Sequence, residues 1–309
     1  MASAAATTAS MGRERKPAGR FEDERWFASA LLFPTAVLLG LFIAYPFFEG
    51  IWLSLTNARV GVPGEFVGLA NFRKVWNDNI FHTALWNTCL YTFVTTVIKL
   101  VLGLWLAQLL NRNFRGKALT RAFVLLPFII PTVLSTFAWK WMFDPTFSVL
   151  NWIFYQLGFI TKRINWLGEP DLAFFSIVVV NVWRGLPFYA ISLLAGLQTV
   201  SPELQEAAAI DGANAWQRFR HITWPLLLPV TMVVTLFSVI QTFADFQLVY
   251  VLTGGGPANA THLFATYAYQ IGIGTGLLSE GAAISLAIFP ILFGVVLIQL
   301  LYIRRVETR

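Results

Sequence analysis

The residues of this chain that could take part in binding or chemistry are polar side chains, which recur at helical spacing inside apolar sequence. Between Leu226 and Leu252 they recur every three or four positions, at Thr231, Thr235, Ser238, Thr242 and Asp245. At about 100° per residue these side chains fall on one stripe of a helix, with Gln241 beside it. Polar groups are costly in hydrocarbon, so the stripe predicts hydrogen bonding and charge inside a shared polar interior.

Two other apolar stretches carry polar residues in the same way. One holds Thr88, Thr92, Thr95 and Lys99, and the other holds Asn181 and Arg184 followed by Pro187. Threonines alone are equally well explained by bonds to their own helix or to a neighbouring helix. Lys99, Arg184 and Asp245 need a cavity or a partner, because each carries a charge. We therefore expect a water-accessible path between helices.

Catalytic and metal-binding patterns do not accompany these stripes. Cys89 is the single cysteine, which excludes an internal disulfide and any multi-cysteine metal site. The three histidines are widely separated in sequence. The turn LTGGGPANAT has three glycines and a proline but lacks the G-x-x-x-x-G-K-[ST] pattern of a phosphate loop. The sequence predicts no catalytic residue and no metal site.

The elements that hold the stripes are long and apolar. The chain is 57% hydrophobic and only 12% charged, which is typical of a membrane protein. Six stretches each supply at least about 20 mostly apolar residues, enough to cross a bilayer. They are Phe27–Phe48, Ala84–Leu110, Ala122–Phe143, Leu172–Leu197, Leu226–Leu252 and Ala282–Ile303. We predict an all-α integral membrane protein with a disordered cytoplasmic tail, residues 1–26, and a transmembrane domain, residues 27–309.

The distribution of basic residues predicts the orientation of these spans. If the N-terminus is cytoplasmic, the inner segments hold fourteen lysines and arginines and the outer loops hold five. Cytoplasmic segments of membrane proteins carry such an excess. Both termini and the loop 198–225 between spans four and five are therefore expected in the cytoplasm.

That loop has the composition of a rigid helix–turn–helix. Ser201 is a good N-cap and Pro202 fits the first helical position. Strong helix formers follow from Glu203 to Ile210, and Gly212 can take a positive φ at the corner. A second short helix, Ala213 to Phe219, presents Trp216 and Phe219 three residues apart. A rigid element of this kind on a membrane face is suited to being held by another protein.

The same loop resembles a known signature. Glu206-Ala207-Ala208, Gly212, Ile222 and Pro225 have the spacing of the EAA motif of permease subunits of bacterial ATP-binding-cassette importers, with Trp224 where leucine is usual. The flanking sequences LAGLQTVSPELQEAAAIDGANAWQRFRHITWPLLLP and FQLVYVLTGGGPANAT are similar to the carbohydrate branch, which includes maltose-type and glycerol-3-phosphate-type permeases.

The resemblance implies a role for the loop and a set of partners. It makes the loop the coupling helix that sits in a cleft of a cytoplasmic ATPase, through Glu206, Ala207, Ala208, Gly212, Trp216 and Phe219. Without the resemblance, Glu206 would be read as a solvated helix residue. The implied partners are two ATPase subunits that bind ATP and Mg, a second permease in a heterodimer or homodimer, and a periplasmic solute-binding protein. No cofactor is expected in this chain, and besides its partners it is expected to contact membrane lipid and no nucleic acid.

The implied function is import of a sugar or related solute across the bacterial inner membrane by alternating access. The residues expected to line the path are Asn181, Arg184, Gln241, Thr242, Asp245, Phe246 and Tyr250, with Phe243 as a further candidate for stacking on a sugar. Arg184 binds either an anionic cargo group or a carbonyl freed by Pro187. A membrane enzyme acting on a lipid-linked substrate and an ion-coupled carrier are the rival functions, and neither explains the structured loop. The cargo, whether sugar, polyol or glycerol phosphate, stays open.

Overall fold

The computed structural model describes residues 24–307, so residues 1–23 of the predicted tail lie outside the described part of the chain. The described part is helical, and its extended pairing is limited to two isolated bridges, Thr56 with Phe66 and Arg59 with Val62. The α-helices are α1 (Glu24–Leu39), α2 (Tyr45–Ser54), α3 (Ala70–Trp76), α4 (Asn79–Asn111), α5 (Lys117–Ile129), α6 (Thr132–Met142), α7 (Val149–Gln156), α8 (Pro170–Leu197), α9 (Pro202–Ile210), α10 (Ala215–Arg218), α11 (Trp224–Phe243), α12 (Gln247–Leu252), α13 (Phe264–Tyr269), α14 (Leu278–Ala287) and α15 (Phe289–Glu307). Three π-helical segments follow α1, α10 and α13, at Gly40–Ala44, Phe219–Thr223 and Gln270–Gly274.

Five helical stretches in the described residues are long and apolar enough to cross a membrane. They are Trp26–Ser54, Asn79–Asn111, Pro170–Leu197, Ala215–Phe243 and Leu278–Tyr302. The count is six if the bent pair α5 and α6 forms one span. The predicted all-helical class is therefore confirmed, and five of the six predicted spans have a continuous apolar counterpart.

The predicted third span, Ala122–Phe143, corresponds to two helices, α5 and α6, that meet at a sharp bend. The α5 and α6 axes meet at 91°, and Ile130 between them has extended backbone angles of φ −65° and ψ 131°. The cause is Pro131, because a proline disfavours the helical conformation in the residue before it. Pro127 lies inside α5 without ending it.

The predicted fifth span, Leu226–Leu252, extends too far. Helix α11 ends at Phe243, and Ala244 to Phe246 separate it from α12. Asp245 therefore lies in a break and not on the helix whose stripe predicted it. Its carboxylate is used in tertiary hydrogen bonds with other helices, which outweigh the helical preference of the surrounding sequence.

The described residues fall into two compact units, one ending at Trp52 and one beginning at Leu53. The first consists of α1 and most of α2, and its apolar side chains, such as those of Phe33 and Phe42, are exposed. The second contains α3 to α15.

The second unit is organised around α4, α8 and α11. A Cβ on Gly103 of α4 would lie 2.5 Å from the Tyr189 Cβ on α8, and one on Gly196 of α8 would lie 2.6 Å from Leu227 of α11. Glycine at these crossings lets the helices approach closely, as is usual in membrane bundles. The close packing fixes which sides of α4, α8 and α11 face one another. Lys99, Asn181 and Thr242 lie on those facing sides.

Candidate functional site

A charged cluster joins the three central helices. Lys99 Nζ on α4 donates to Asn181 Oδ1 on α8 at 2.9 Å and to Thr242 Oγ1 on α11 at 2.9 Å. All three side chains are buried. Because these residues lie 61 or more positions apart in sequence, the stripes predicted separately on three helices meet at one place.

The cluster continues to Asp245 in the break after α11. Its Oδ2 accepts a hydrogen bond from Tyr91 OH at 2.9 Å and another from Asn181 Nδ2 at 3.0 Å. Asn181 therefore bridges the carboxylate of Asp245 and the ammonium of Lys99. Sequence reasoning missed Tyr91, although it lies three residues after Thr88 and four before Thr95 on the same helix face.

A cavity of about 600 Å³ opens beside the cluster. It is lined by Lys99, Phe128, Thr132, Asn181, Arg184, Phe188, Phe237, Ser238, Gln241, Thr242, Ala244, Asp245, Phe246 and Gln247. Six of the seven residues predicted for the path are in this lining. Tyr250 is not, but its ring stacks on Phe246 with centroids 5.0 Å apart. Phe243 is buried and does not line the cavity, so it presents no face for stacking here.

Arg184 differs from the other charged residues of the lining. It is half-buried, and no hydrogen bond or ion pair joins it to another residue of the described chain. Its Nε is shielded from solvent without an acceptor. The carbonyl freed by Pro187 is therefore not its partner in this structure.

Not all stripe residues reach the cavity. The hydroxyls of Thr88, Thr95 and Thr231 donate to carbonyls four residues earlier on their own helices, at 2.7, 2.8 and 3.0 Å. Thr235 lies outside the lining as well. For Thr88, Thr95 and Thr231 the simpler reading, satisfaction within the helix, is the one that the structure supports.

The loop between α8 and α11 forms the helix–turn–helix that its composition predicts. Gly212 turns the chain with φ +87°. Asn214 begins α10 with a capping box, in which Asn214 Oδ1 accepts from Gln217 N and Gln217 Oε1 accepts from Asn214 N. Ser201 stands at the N-cap position of α9, but its side chain does not cap the backbone. Its hydroxyl instead donates to the Glu203 carboxylate. That hydrogen bond lowers the pKa of Glu203.

The outer surface of this loop is exposed and partly apolar. Ile210 is 87% exposed and Trp216 is 65% exposed. Trp216 and Phe219 stack with centroids 5.7 Å apart and planes at 28°. Glu206 is exposed, and no hydrogen bond or ion pair ties it to the described residues. Sequence reasoning missed Ile210, whose apolar side chain at the end of a polar helix was the available signal.

The loop is mechanically continuous with the cavity wall. The π-helical segment Phe219–Thr223 connects α10 to α11 without a break in the helix. Gln205 Nε2 on α9 donates to Thr223 Oγ1 at 3.0 Å, which ties the first short helix to the same junction. Helix α10, this segment and α11 therefore form one continuous helical stretch from the loop to Ser238 and Thr242, which line the cavity.

The glycine-rich turn after α12 is held against α4. Gly254 and Gly255 have φ of +62° and +92°, as the tight turn requires. Asn87 Nδ2 on α4 donates to the carbonyls of Ala260 at 2.8 Å and His262 at 3.2 Å. Burial lowers the pKa of His262, whose ring packs on Gly255. Within the described residues no group of histidine, cysteine and acidic side chains is arranged to hold a metal ion.

Known proteins resemble this chain over most of its length. Residues 99–307 match the family described as binding-protein-dependent transport system inner membrane component. The trehalose/maltose transport system permease protein MalF of Thermococcus litoralis is 36% identical over 87% of this chain and 91% of its own. The sulfoquinovosyl glycerol transport system permease protein SmoG of Agrobacterium fabrum is 36% identical over 91% of both chains.

A solved structure shares the fold. This chain superposes with a TM-score of 0.80 on a chain of a bacterial ABC transporter involved in the import of the acidic polysaccharide alginate. The two chains are 21% identical, and the match covers 91% of this chain and 96% of the transporter chain. The family match spans more than half of the sequence and its relatives are permease subunits, not ATPases. This chain therefore belongs to the family of multi-pass inner membrane permease components of binding-protein-dependent ABC transporters.

Proposed function

We propose that this permease component carries a sugar or a related solute inward through the cavity between α4, α8 and α11, by alternating access. The observation that carries the proposal is the convergence of Lys99, Asn181, Thr242 and Asp245 on one cavity in a helical membrane bundle. Buried charge of this kind is expensive and is typical of a substrate path. A cavity of about 600 Å³ is in the usual range for a small-molecule site.

The chemistry of the lining suits a sugar. Amide and hydroxyl groups of Asn181, Gln241 and Thr242 can exchange hydrogen bonds with cargo hydroxyls. Phe246 offers an aromatic face, backed by Tyr250. Trehalose and maltose, sulfoquinovosyl glycerol and alginate are named for transporters that this chain resembles, which supports a cargo of the carbohydrate class.

The energy is proposed to come from a separate ATPase pair that binds ATP and Mg. Its docking surface would be the exposed helix–turn–helix, with Ile210 and the stacked pair Trp216–Phe219 as apolar anchors. Ala207 and Ala208 leave one side of α9 flat, and Glu206 is available for a charged contact. The excess of basic residues supports a cytoplasmic position for this loop and for both termini.

The remaining partners follow from the type of system. Binding-protein-dependent transport requires a solute-binding protein, for which the loops at the opposite end of the bundle are the proposed contact. We propose that a second permease chain completes the path in a heterodimer, as the resemblance to maltose-type permeases implies. Membrane lipid would cover the remaining exposed apolar side chains.

Affinity purification of the tagged chain from native membranes tests the proposal. We expect an ATPase, a second permease and a binding protein to copurify, and Glu206→Arg together with Ile210→Asp to remove the ATPase alone. Asp171→Arg, an exposed change outside the loop, serves as the matched control. If the chain is recovered alone and accumulates solute with an ion gradient, it is an ion-coupled carrier and the proposal fails.

A further inference from the structure

We propose that Arg184 is a subsite for an anionic group on the cargo, a carboxylate, sulfonate or phosphate. This inference rests on the proposed function, because it assumes that cargo enters the cavity. It narrows the cargo from sugars in general to acidic sugars.

The first argument is the charge of the lining. Lys99 and Arg184 are cationic and Asp245 is the one carboxylate among the lining residues, which leaves an excess of one positive charge. Asp245 Oδ2 is already occupied by Tyr91 and Asn181, and no ion pair within the salt-bridge distance joins it to either cation. An uncompensated cation in a low-dielectric interior is unfavourable, and an anion entering the cavity would relieve that cost.

The second argument separates Arg184 from Lys99. The ammonium of Lys99 is buried and has two oxygen acceptors within the protein. Arg184 is half-buried, lines the cavity and has no acceptor among the described residues, although a guanidinium carries five N–H donors. The unused donors form a planar fork that matches carboxylate, sulfonate and phosphate oxygens.

The third argument is the apolar surface beside the cation. Phe128 and Phe188 stack with centroids 5.9 Å apart, and Phe237 follows at 5.7 Å from Phe188. All three line the cavity with Arg184, and Phe188 lies one helical turn from it on α8. Aromatic faces next to a guanidinium suit a sugar ring that carries an acidic substituent, and they strengthen the ion pair by excluding water.

Charged thiol reagents test this inference on the assembled transporter in lipid nanodiscs. In a Cys89→Ser background, Gln241→Cys places one thiol in the cavity wall. Its reaction with a methanethiosulfonate bearing a sulfonate is compared with its reaction with one bearing a quaternary ammonium, each relative to a free thiol. We expect the anionic reagent to be favoured by about tenfold, and Arg184→Gln to remove that preference. Arg184→Lys should keep part of it, and Lys140→Gln, an equal change in net charge outside the cavity, should leave it unchanged.

Protection by sugars identifies the anionic group. At equal millimolar concentration, glucuronate or glucose 6-phosphate should slow labelling of Gln241→Cys more than glucose does, and Arg184→Gln should abolish the difference. Stronger protection by one of the two acids distinguishes carboxylate from phosphate. A reagent preference unchanged in Arg184→Gln, or no greater protection by either acid than by glucose, would overturn the inference. If neither reagent reaches the thiol, the proposed transport path fails as well.

Discussion

The cavity and the helix–turn–helix use polar residues in opposite ways. In the cavity, Lys99, Asn181 and Asp245 are joined to one another by hydrogen bonds across three segments of the chain. In the loop, Glu206, Ile210 and Trp216 are exposed, and their internal contacts are local. Changes in the cavity should therefore alter the stability of this chain and its selectivity for cargo. Changes in the loop should alter binding of the ATPase and leave the fold of this chain intact.

The largest expected effect is at Asp245. Asp245→Asn leaves Lys99 and Arg184 without a carboxylate in the cavity, and we expect a loss of about 3 kcal/mol in the stability of the purified chain. Thermal unfolding in detergent measures it. Lys99→Met added to Asp245→Asn should recover part of the loss. Asp211→Asn, the same change in the exposed loop, should alter stability by less than about 0.5 kcal/mol. Equal effects at the two aspartates would break the comparison.

Trp216 gives the converse test. Trp216→Ala removes an exposed apolar anchor, so we expect ATPase binding to weaken by about 2 kcal/mol, or roughly thirtyfold, without a change in thermal stability. Binding of the purified ATPase subunit to the chain in nanodiscs measures the loss. Trp105→Ala is the matched control, since Trp105 is also exposed but lies on α4. Unfolding of Trp216→Ala, or an equal loss in Trp105→Ala, would contradict the division of roles.

Gly212 sharpens the comparison, because backbone strain can be matched. Gly212 and Gly116 have φ of +87° and +84°, and a Cβ at either position would meet no neighbour within 4 Å. Valine at either site costs about 1–3 kcal/mol of local strain. We expect Gly212→Val to reduce ATP-driven uptake by about tenfold or more and Gly116→Val to change it little. Similar losses of uptake in the two variants would show that uptake is sensitive to backbone strain in either loop. Uptake would then not depend specifically on the conformation of the loop at Gly212.

The smallest expected effect is pH-dependent and lies in the turn after α12. Burial lowers the pKa of His262 below its ordinary value of about 6.5, so the folded turn favours the neutral ring. The neutral ring contributes fully to the stability of the turn above about pH 6.5. That contribution is lost as the pH falls toward the folded-state pKa. Hydrogen exchange of residues 253–263 should therefore accelerate on acidification after correction for intrinsic rates. His262→Asn should remove the pH dependence, and an unchanged profile in that variant would refute its assignment to His262.

The sequence predicted the cavity well where local spacing carries the information. Ser238 and Thr242 on one stripe, and Asn181 with Arg184 on another, lie in the same lining because apolar helices bury their polar faces together. Gly212 was likewise predictable, since a positive φ at a helix–helix corner favours glycine.

The misses have tertiary causes. Tyr91 carries one polar atom at the end of a large apolar ring, so the stripe on α4 gave no reason to single it out. The end of α11 at Phe243 depends on the hydrogen bonds of Asp245 to α4 and α8, which local propensity does not contain. The 91° bend at Pro131 could not be predicted as an angle, because a proline predicts a break in a helix but not its geometry.

The central claim is that cargo passes through the cavity and that the ATPase controls access to it. Labelling of Gln241→Cys by a membrane-impermeant thiol reagent, in a Cys89→Ser transporter reconstituted in sealed vesicles, tests the claim most directly. We predict that reactivity toward reagent on one side changes between the nucleotide-free and ATP-trapped states, while Ile240→Cys, one residue away and outside the cavity, reacts in neither. A Gln241→Cys thiol that stays unreactive in both states, or reacts equally in both, would contradict the claim.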